Sequence, residues 1–167
     1  MKAVVVDTNV IVVANEMSDH SDDDCIIACI DALQRAREKQ KVVIDSGGLF
    51  FDEYFRHANR SGQPLAGDAF VKWLWDNQAN SKRCENVDIT PLDNEANEFA
   101  EFPDDQVLTG FDRSDKKFVA VVRASKYNPK ILNATDSDWW HFQRPLKDHG
   151  ILIEFLCPNL MKPENSR

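Results

Sequence analysis

The chain of 167 residues carries 20 Lys and Arg against 28 Asp and Glu, a net charge of −8 at pH 7 with neutral histidines. This balance argues against a broad nucleic-acid-coating surface, because electrostatic binding to phosphates needs a positive face. It does not exclude a nuclease, since acids gathered around a divalent cation can act on a phosphate backbone.

The composition is typical of a globular protein, with 43% hydrophobic and 29% charged residues. We expect one domain over residues 1–157 and a polar, flexible tail over 158–167. No apolar run approaches the roughly 20 residues that cross a bilayer, and Asp7 interrupts the first apolar run before a signal-peptide core could form. The expected location is the cytoplasm, without membrane association. There the four cysteines would stay reduced, with Cys25 and Cys29 buried on one helix face.

Strand and helix patterns alternate along the chain. The patterns predict strands over residues 2–6, 41–45, 86–90, 130–134 and 150–156. Between these strands they predict helices over 21–39, 49–60, 68–77, 94–102 and 115–126. The first strand is a continuous valine-rich run, typical of a strand buried on both faces. This alternation predicts an α/β fold, a three-layer sandwich with a mostly parallel central sheet flanked by helices.

Acidic residues stand at the ends of several predicted elements. Asp7 directly follows the first strand, and Asp136 and Asp138 follow a later one. Asp115 opens a helix, and Glu53 lies within the helix that follows the second strand. Because the carboxyl ends of parallel strands meet at one edge of a sheet, we expect these acids to converge.

A cluster of carboxylates is unfavourable without a counterion, because the charges repel one another and lose hydration. A hard divalent cation such as Mg²⁺ or Mn²⁺ relieves this repulsion and prefers oxygen ligands. One or two such ions can stabilise the oxygens of a phosphoryl displacement. The pattern therefore points to metal-assisted phosphate chemistry.

The ordered set of acids resembles the PIN-domain family of metal-dependent ribonucleases. Residues 5–10, an apolar strand followed by Asp-Thr-Asn, look like the family's opening motif. Residues 114–121 are similar to its third motif, in which an Asp starts a helix of apolar and small residues, and residues 134–139 resemble its closing motif. Glu53 matches the family's helical glutamate by position. The resemblance spans roughly residues 2–156.

The resemblance implies an Mg²⁺- or Mn²⁺-dependent endoribonuclease in which a metal-activated water hydrolyses RNA, leaving a 5′-phosphate and a 3′-hydroxyl. The implied catalytic and metal-binding residues are Asp7, Glu53, Asp115 and Asp136, with Asp138 as a fifth metal ligand. Thr8 and Asn9 are expected to orient a carboxylate or hold a water, as is usual around metal ligands. Asp112 is a weaker ligand candidate, and core packing is the expected role of Trp139.

Partners follow from the same resemblance and from the bases near the acids. Many small bacterial relatives are toxins held inactive by an antitoxin, so the expected partners are an RNA substrate and an antitoxin protein. Arg113, Lys116 and Arg56 are candidates for holding the RNA backbone. Trp73 or Trp75 could join a homodimer contact.

Two alternatives remain open from the sequence. One is a non-catalytic PIN-like module that binds RNA or protein. The other is an aspartate-dependent phosphatase, which usually has a second Asp two residues after the first, where this chain has Asn9. The segment 85–112, with nine acids and no Lys or Arg, is interpreted as a solvated flank or as a surface for a basic partner.

Overall fold

The computed structural model describes residues 1–93 and 95–161. Within these residues the strands are β1 (Ala3–Val6), β2 (Lys41–Asp45), β3 (Cys84–Val87), β4 (Lys130–Asn133) and β5 (Ile153–Phe155). The α-helices are α1 (Thr8–Ala14), α2 (Asp23–Lys39), α3 (Leu49–Tyr54), α4 (Ala66–Asn77), α5 (Lys116–Ala124), α6 (Ser137–Asp148) and α7 (Pro158–Met161). Short 3₁₀ turns lie at Gln106–Leu108 and Arg113–Asp115.

The strands form one parallel sheet in the order β3-β2-β1-β4-β5. The valines of β1, the central strand, are at most 2% exposed, as expected for a strand covered on both faces. Helix α5 contacts β1, β2 and β4, while α1, α2 and α4 contact one another. Right-handed crossovers place these two groups of helices on opposite faces of the sheet. The predicted three-layer α/β sandwich is confirmed.

The predicted helix over 94–102 is wrong for the residues that the structure describes. Residues 95–102 form turns, and an isolated antiparallel bridge joins Pro91 to Phe99. The carboxylate of Glu101 accepts hydrogen bonds from the backbone N–H and hydroxyl of Thr90. These bonds give the backbone partners that a helix would otherwise supply. Asn94 lies outside the described residues.

Several other predicted elements differ in extent. The helix predicted over 49–60 ends at Tyr54. The strand predicted over 86–90 corresponds to β3, which spans Cys84–Val87 and therefore begins two residues earlier. Helices α1 and α6 were not predicted. The valine-rich sequence of α1 has low helix propensity, and α6 contains Pro145, so tertiary packing and an Asp at each N-cap decide these two helices.

The C-terminal segment is tied to the domain through a disulfide. Cys25 at the start of α2 pairs with Cys157, which follows β5, so the expectation of four reduced cysteines is wrong for this pair. The fold brings together two residues 132 positions apart, which no local pattern could show. Cys29 and Cys84 are free and buried, and the expected burial of Cys25 and Cys29 is confirmed.

The predicted tail over 158–167 begins with a helix. Residues 158–161 form α7, and Met161 is buried, whereas residues 162–167 lie outside the described part. Among the described residues, no helix has the length and apolar character needed to cross a membrane.

Candidate functional site

The candidate site lies where β1 and β4 end side by side. These strands are parallel neighbours at the centre of the sheet, and the chain leaves β1 toward β2 on its other side. Such a switch in strand order opens a crevice at the carboxyl edge of the sheet. Asp7 follows β1 directly, and Asp136 follows β4 after a short turn.

Three carboxylates converge at this edge and form the acidic triad of Asp7, Asp115 and Asp136. One carboxylate oxygen from each lies within 4.8 Å of the others. Asp7 caps α1 and Asp136 caps α6, while Asp115 ends the 3₁₀ turn that leads into α5. Three predicted metal ligands from distant parts of the sequence are therefore brought together, as the sequence analysis expected of them.

Asp7 is held by donors that the sequence analysis did not identify. Its Oδ2 accepts a hydrogen bond from Trp139 Nε1 at 2.6 Å and another from Asn133 Nδ2 at 3.2 Å. Trp139 is fully buried, so the expected core role is confirmed, but its indole also fixes this carboxylate. The sequence did contain one indication of Asn133, since it is a polar residue at the end of an apolar strand and lies three residues before Asp136.

The triad is electrostatically unfavourable as an isolated group of carboxylates. Burial, followed by the charge of Asp136, raises the pKa of Asp7 to about 7. Burial, followed by the charges of Asp7 and Asp136, raises the pKa of Asp115 to about 10. A bound divalent cation would reverse these shifts by favouring the ionised carboxylates.

The residues of the triad fit a hard cation. All three offer carboxylate oxygens, the ligands that Mg²⁺ and Mn²⁺ prefer. Beside them, Asn133 is completely buried, and its Oδ1 has no hydrogen-bond partner among the described residues. A buried unpaired carbonyl oxygen is costly without a partner, so this atom is a second indication of a ligand at this edge.

Glu53 reaches the same edge but stands apart from the triad. Its carboxylate accepts a hydrogen bond from the Thr8 hydroxyl and forms an ion pair with Lys117 Nζ at 2.9 Å. The group of mutually close ligand atoms does not include Glu53. Its neighbour Asp52 is exposed on α3, so Glu53 is the acid of this helix that faces the site.

One hydrogen bond joins Asp138 to the segment that contains Asp112. The Asp138 carboxylate accepts from the backbone N–H of Asp112 at 2.9 Å, and the Asp138 N–H donates to Asp136 at 3.0 Å. Asp112 accepts from the N–H and hydroxyl of Ser114. Burial raises the pKa of Asp138. Both residues brace the turn that carries Asp115, and neither belongs to the acidic triad.

The polar residues after Asp7 join β1 to its surroundings. Asn9 Oδ1 accepts the backbone N–H of Ala134 at 2.9 Å, which ties the end of β4 to the start of α1. The Asn9 N–H also contacts Asp7 at 3.5 Å. Thr8, the first residue of α1, donates its hydroxyl hydrogen to Glu53. Thr8 thus contacts a carboxylate through its side chain, whereas the Asn9 side chain contacts the backbone of Ala134.

The bases named as candidates for holding RNA differ in availability. Lys116 is buried, with its Nζ 2.9 Å from both carboxylate oxygens of Glu98. Arg113 also pairs with Glu98, at 3.4 Å, but its side chain is 69% exposed. Arg56 is exposed just after α3. Of the three, Arg113 and Arg56 are exposed to solvent, and Arg113 lies two residues before Asp115.

The tryptophans considered for a homodimer contact are both partly accessible. Trp75 is 46% exposed and packs edge-on against Phe51 and Phe55. Trp73 is half-buried beneath the guanidinium of Arg37 and lines a cavity of about 740 Å³ between α2 and α4. None of the triad residues lines that cavity.

Comparison of the chain with family models, with curated proteins and with solved structures gave no match.

Proposed function

We propose that this protein is a metal-dependent endoribonuclease of the PIN-domain type. The observation that carries the proposal is the convergence of Asp7, Asp115 and Asp136 at the carboxyl edge of β1 and β4. The order of these acids along the chain, and the motifs around them, support RNA as the substrate through their resemblance to that family.

In this proposal the triad holds Mg²⁺ or Mn²⁺. When bound, the ion activates a water and stabilises the charge that develops on the phosphate. Trp139 and Asn133 keep the Asp7 carboxylate in one orientation, and Asp136 presents the partly exposed side of the site to substrate. Arg113 and Arg56 contact the RNA backbone, and in-line hydrolysis leaves a 5′-phosphate and a 3′-hydroxyl.

The proposed biological role, that of a toxin, rests only on the resemblance of the motifs to the PIN-domain family. A toxin with a cognate antitoxin partner and a cytoplasmic location agrees with the motifs. In that compartment the Cys25–Cys157 pair would be exposed to reducing conditions, which rarely leave disulfides in place. Alkylation of free thiols in rapidly quenched cells, followed by mass spectrometry of Cys25, would report the state of the pair in its own compartment.

The decisive experiment compares the wild-type protein with Asp7→Asn on total cellular RNA in the presence of Mg²⁺ or Mn²⁺. We expect cleavage to fall by at least about 100-fold, because even supporting residues of metal sites are worth 10–100-fold. Asp52→Asn is the matched control, since Asp52 is an exposed acid on α3, and it should cleave at the wild-type rate. Mapping of new 5′ ends identifies the cut sites.

Two results would contradict the proposal. Equal cleavage by purified Asp7→Asn would show that the activity comes from elsewhere. Absence of Mn²⁺ binding in calorimetry would favour the non-catalytic binding module instead. An aspartate-dependent phosphatase is a poorer explanation, because Asp7 is only 2% exposed and accepts two side-chain hydrogen bonds.

A further inference from the structure

Lys117 places a buried positive charge beside the candidate metal site. It lies in the first turn of α5, two residues after Asp115, and its side chain is only 8% exposed. Its Nζ donates to Glu53 Oε1 at 2.9 Å and also to the carbonyl oxygen of Ser114. The ammonium group therefore joins the helix that carries Glu53 to the turn that carries Asp115.

Glu53 lies outside the acidic triad, and its carboxylate is engaged by this ion pair. The second carboxylate oxygen of Glu53 is engaged by the Thr8 hydroxyl, so both oxygens already have protein partners. Glu53 is 19% exposed, and an ion pair in such a place is screened less than one in open solvent. A metal cation that bound Glu53 would have to displace the Lys117 ammonium group from the carboxylate. The cation would then still be repelled by the nearby positive charge of Lys117.

The grouping of the carboxylates bears on how many metal ions the site can hold. A two-ion centre needs carboxylates around both ions, about 3.5–4 Å apart. Here three carboxylates form one cluster, and Glu53 at the same edge is paired with Lys117. The same Asn133 side chain that donates its Nδ2 hydrogen to Asp7 carries a buried Oδ1 without a partner among the described residues.

We propose that Lys117 is a positioning residue that holds Glu53 out of the metal site, so that the acidic triad takes a single divalent ion and Lys117 supplies the second positive charge. This rests on the proposed metal-dependent function. It assigns Glu53 a role different from the ligand role implied by the resemblance. Glu53 anchors Lys117 and Thr8 instead of binding the ion.

The test counts Mn²⁺ ions by calorimetry and by electron paramagnetic resonance, at one fixed pH, without substrate. We expect one ion for the wild type and two for Lys117→Met, because loss of the ammonium group leaves Glu53 free to bind. The double variant Lys117→Met with Glu53→Gln should return to one ion. Lys116→Met is the matched control, since Lys116 is also a buried, paired lysine on α5, but its partner is Glu98, and it should bind one ion.

The possible outcomes separate this inference from the proposed function. Two ions in the wild type, together with metal-dependent RNA cleavage, would overturn the inference and leave the proposed function standing. One ion in a folded Lys117→Met protein would also overturn it. No bound ion in the wild type would overturn the proposed metal centre itself, and the inference with it.

A second variant covers the case in which Lys117→Met does not fold, as judged by circular dichroism. Glu53→Gln keeps the lysine and the size of the side chain. If Glu53 is not a ligand, its Mn²⁺ affinity should stay within about threefold of the wild type. A loss of tenfold or more, the scale of an interaction that supports the metal directly, would overturn the inference.

Discussion

At the scale of single residues, the site depends on side chains that orient acids as much as on the acids. Asp7 accepts its shortest described side-chain hydrogen bond from the indole N–H of Trp139, a residue 132 positions away in sequence. The carboxylates could be predicted because each follows or opens an element in a recognisable motif. Their donors could not, because an indole N–H or an amide shows no preference for a distant partner until the chain folds.

We expect Trp139→Phe to lower the metal affinity of the site while an aromatic ring still fills most of the space that Trp139 occupies in the core. Phe keeps an aromatic ring in contact with Phe111 but removes the donor 2.6 Å from Asp7. Loss of such a supporting hydrogen bond costs about 10–100-fold in metal affinity or activity. Mn²⁺ calorimetry measures the change.

Trp140→Phe provides the comparison for that variant. Trp140 is half-buried and packs edge-on against Phe155, and its side chain makes no described contact with the triad. Its Mn²⁺ affinity should equal that of the wild type. Equal affinities in both tryptophan variants would show that the indole N–H of Trp139 does not support the site.

At the scale of elements, the close packing of α1 against α4 positions the segment that follows Asp7. At the end of α1, Asn15 donates from Nδ2 to the Asp68 carboxylate and accepts at Oδ1 from the Asp68 backbone N–H in α4. Gly67 lies at this contact, where a Cβ atom would stand 2.6 Å from Asn15 Oδ1 and 2.7 Å from the Ile11 carbonyl oxygen. The helices can approach this closely only because residue 67 has no side chain.

Gly67→Ala should therefore lower the stability of the fold by about 1–3 kcal/mol, the usual cost of overpacking. The free energy of unfolding from urea titration is the measurement. Gly47→Ala is the control, because a Cβ there would meet its nearest atom at an ordinary 3.5 Å. A Gly67→Ala protein as stable as the wild type would mean that α1 and α4 can separate without cost.

The same packing explains which elements the sequence did not reveal. Thr8–Ala14 is rich in β-branched residues, yet it is helical because Asp7 caps it and its apolar side chains are buried. The predicted helix over 94–102 fails for the opposite reason, since side-chain hydrogen bonds such as that of Glu101 stabilise turns there. Local propensity is weak when capping and burial oppose it.

At the scale of the whole molecule, the charge of −8 is unevenly distributed. The segment 85–112 contains nine acids and no Lys or Arg, and it contacts the rest of the molecule through specific pairs. Glu98 pairs with Lys116 and Arg113, and Asp105 pairs with His149 at the end of α6. Part of this acidic segment is therefore an internal partner for Lys116, Arg113 and His149. Its exposed acids are Asp88, Asp93, Glu95, Asp104 and Asp112.

The stability of the metal-free protein should fall as the pH rises from about 5 to 9. Asp7 and Asp115 have pKa values of about 7 and about 10 in the fold, against 3.8 as the ordinary value. The folded state thus binds more protons than the unfolded state across this range, so raising the pH favours unfolding. Thermal unfolding in a chelator measures the slope.

Neutralising one of these acids, or binding a cation, should reduce that slope. Asp115→Asn removes a carboxylate whose ionisation is opposed by burial and by its neighbours, so its unfolding midpoint should vary less with pH. Saturating Mn²⁺ should also make the unfolding midpoint vary less with pH, since metal binding releases the protons from the carboxylates. A midpoint that rises steadily from pH 5 to 9 in the chelated wild type would contradict the raised pKa values.

The sequence alone determined the α/β class and a mostly parallel sheet, and it named Asp7, Asp115 and Asp136 among five acids expected at one edge, because buried strands and strand-terminal polar residues leave local patterns. Only the tertiary structure decided that Glu53 is paired with Lys117, that Trp139 and Asn133 hold Asp7, and that Cys25 meets Cys157. These are contacts between residues far apart in the chain. Their formation depends on how the helices pack against the sheet, and no short segment carries that information.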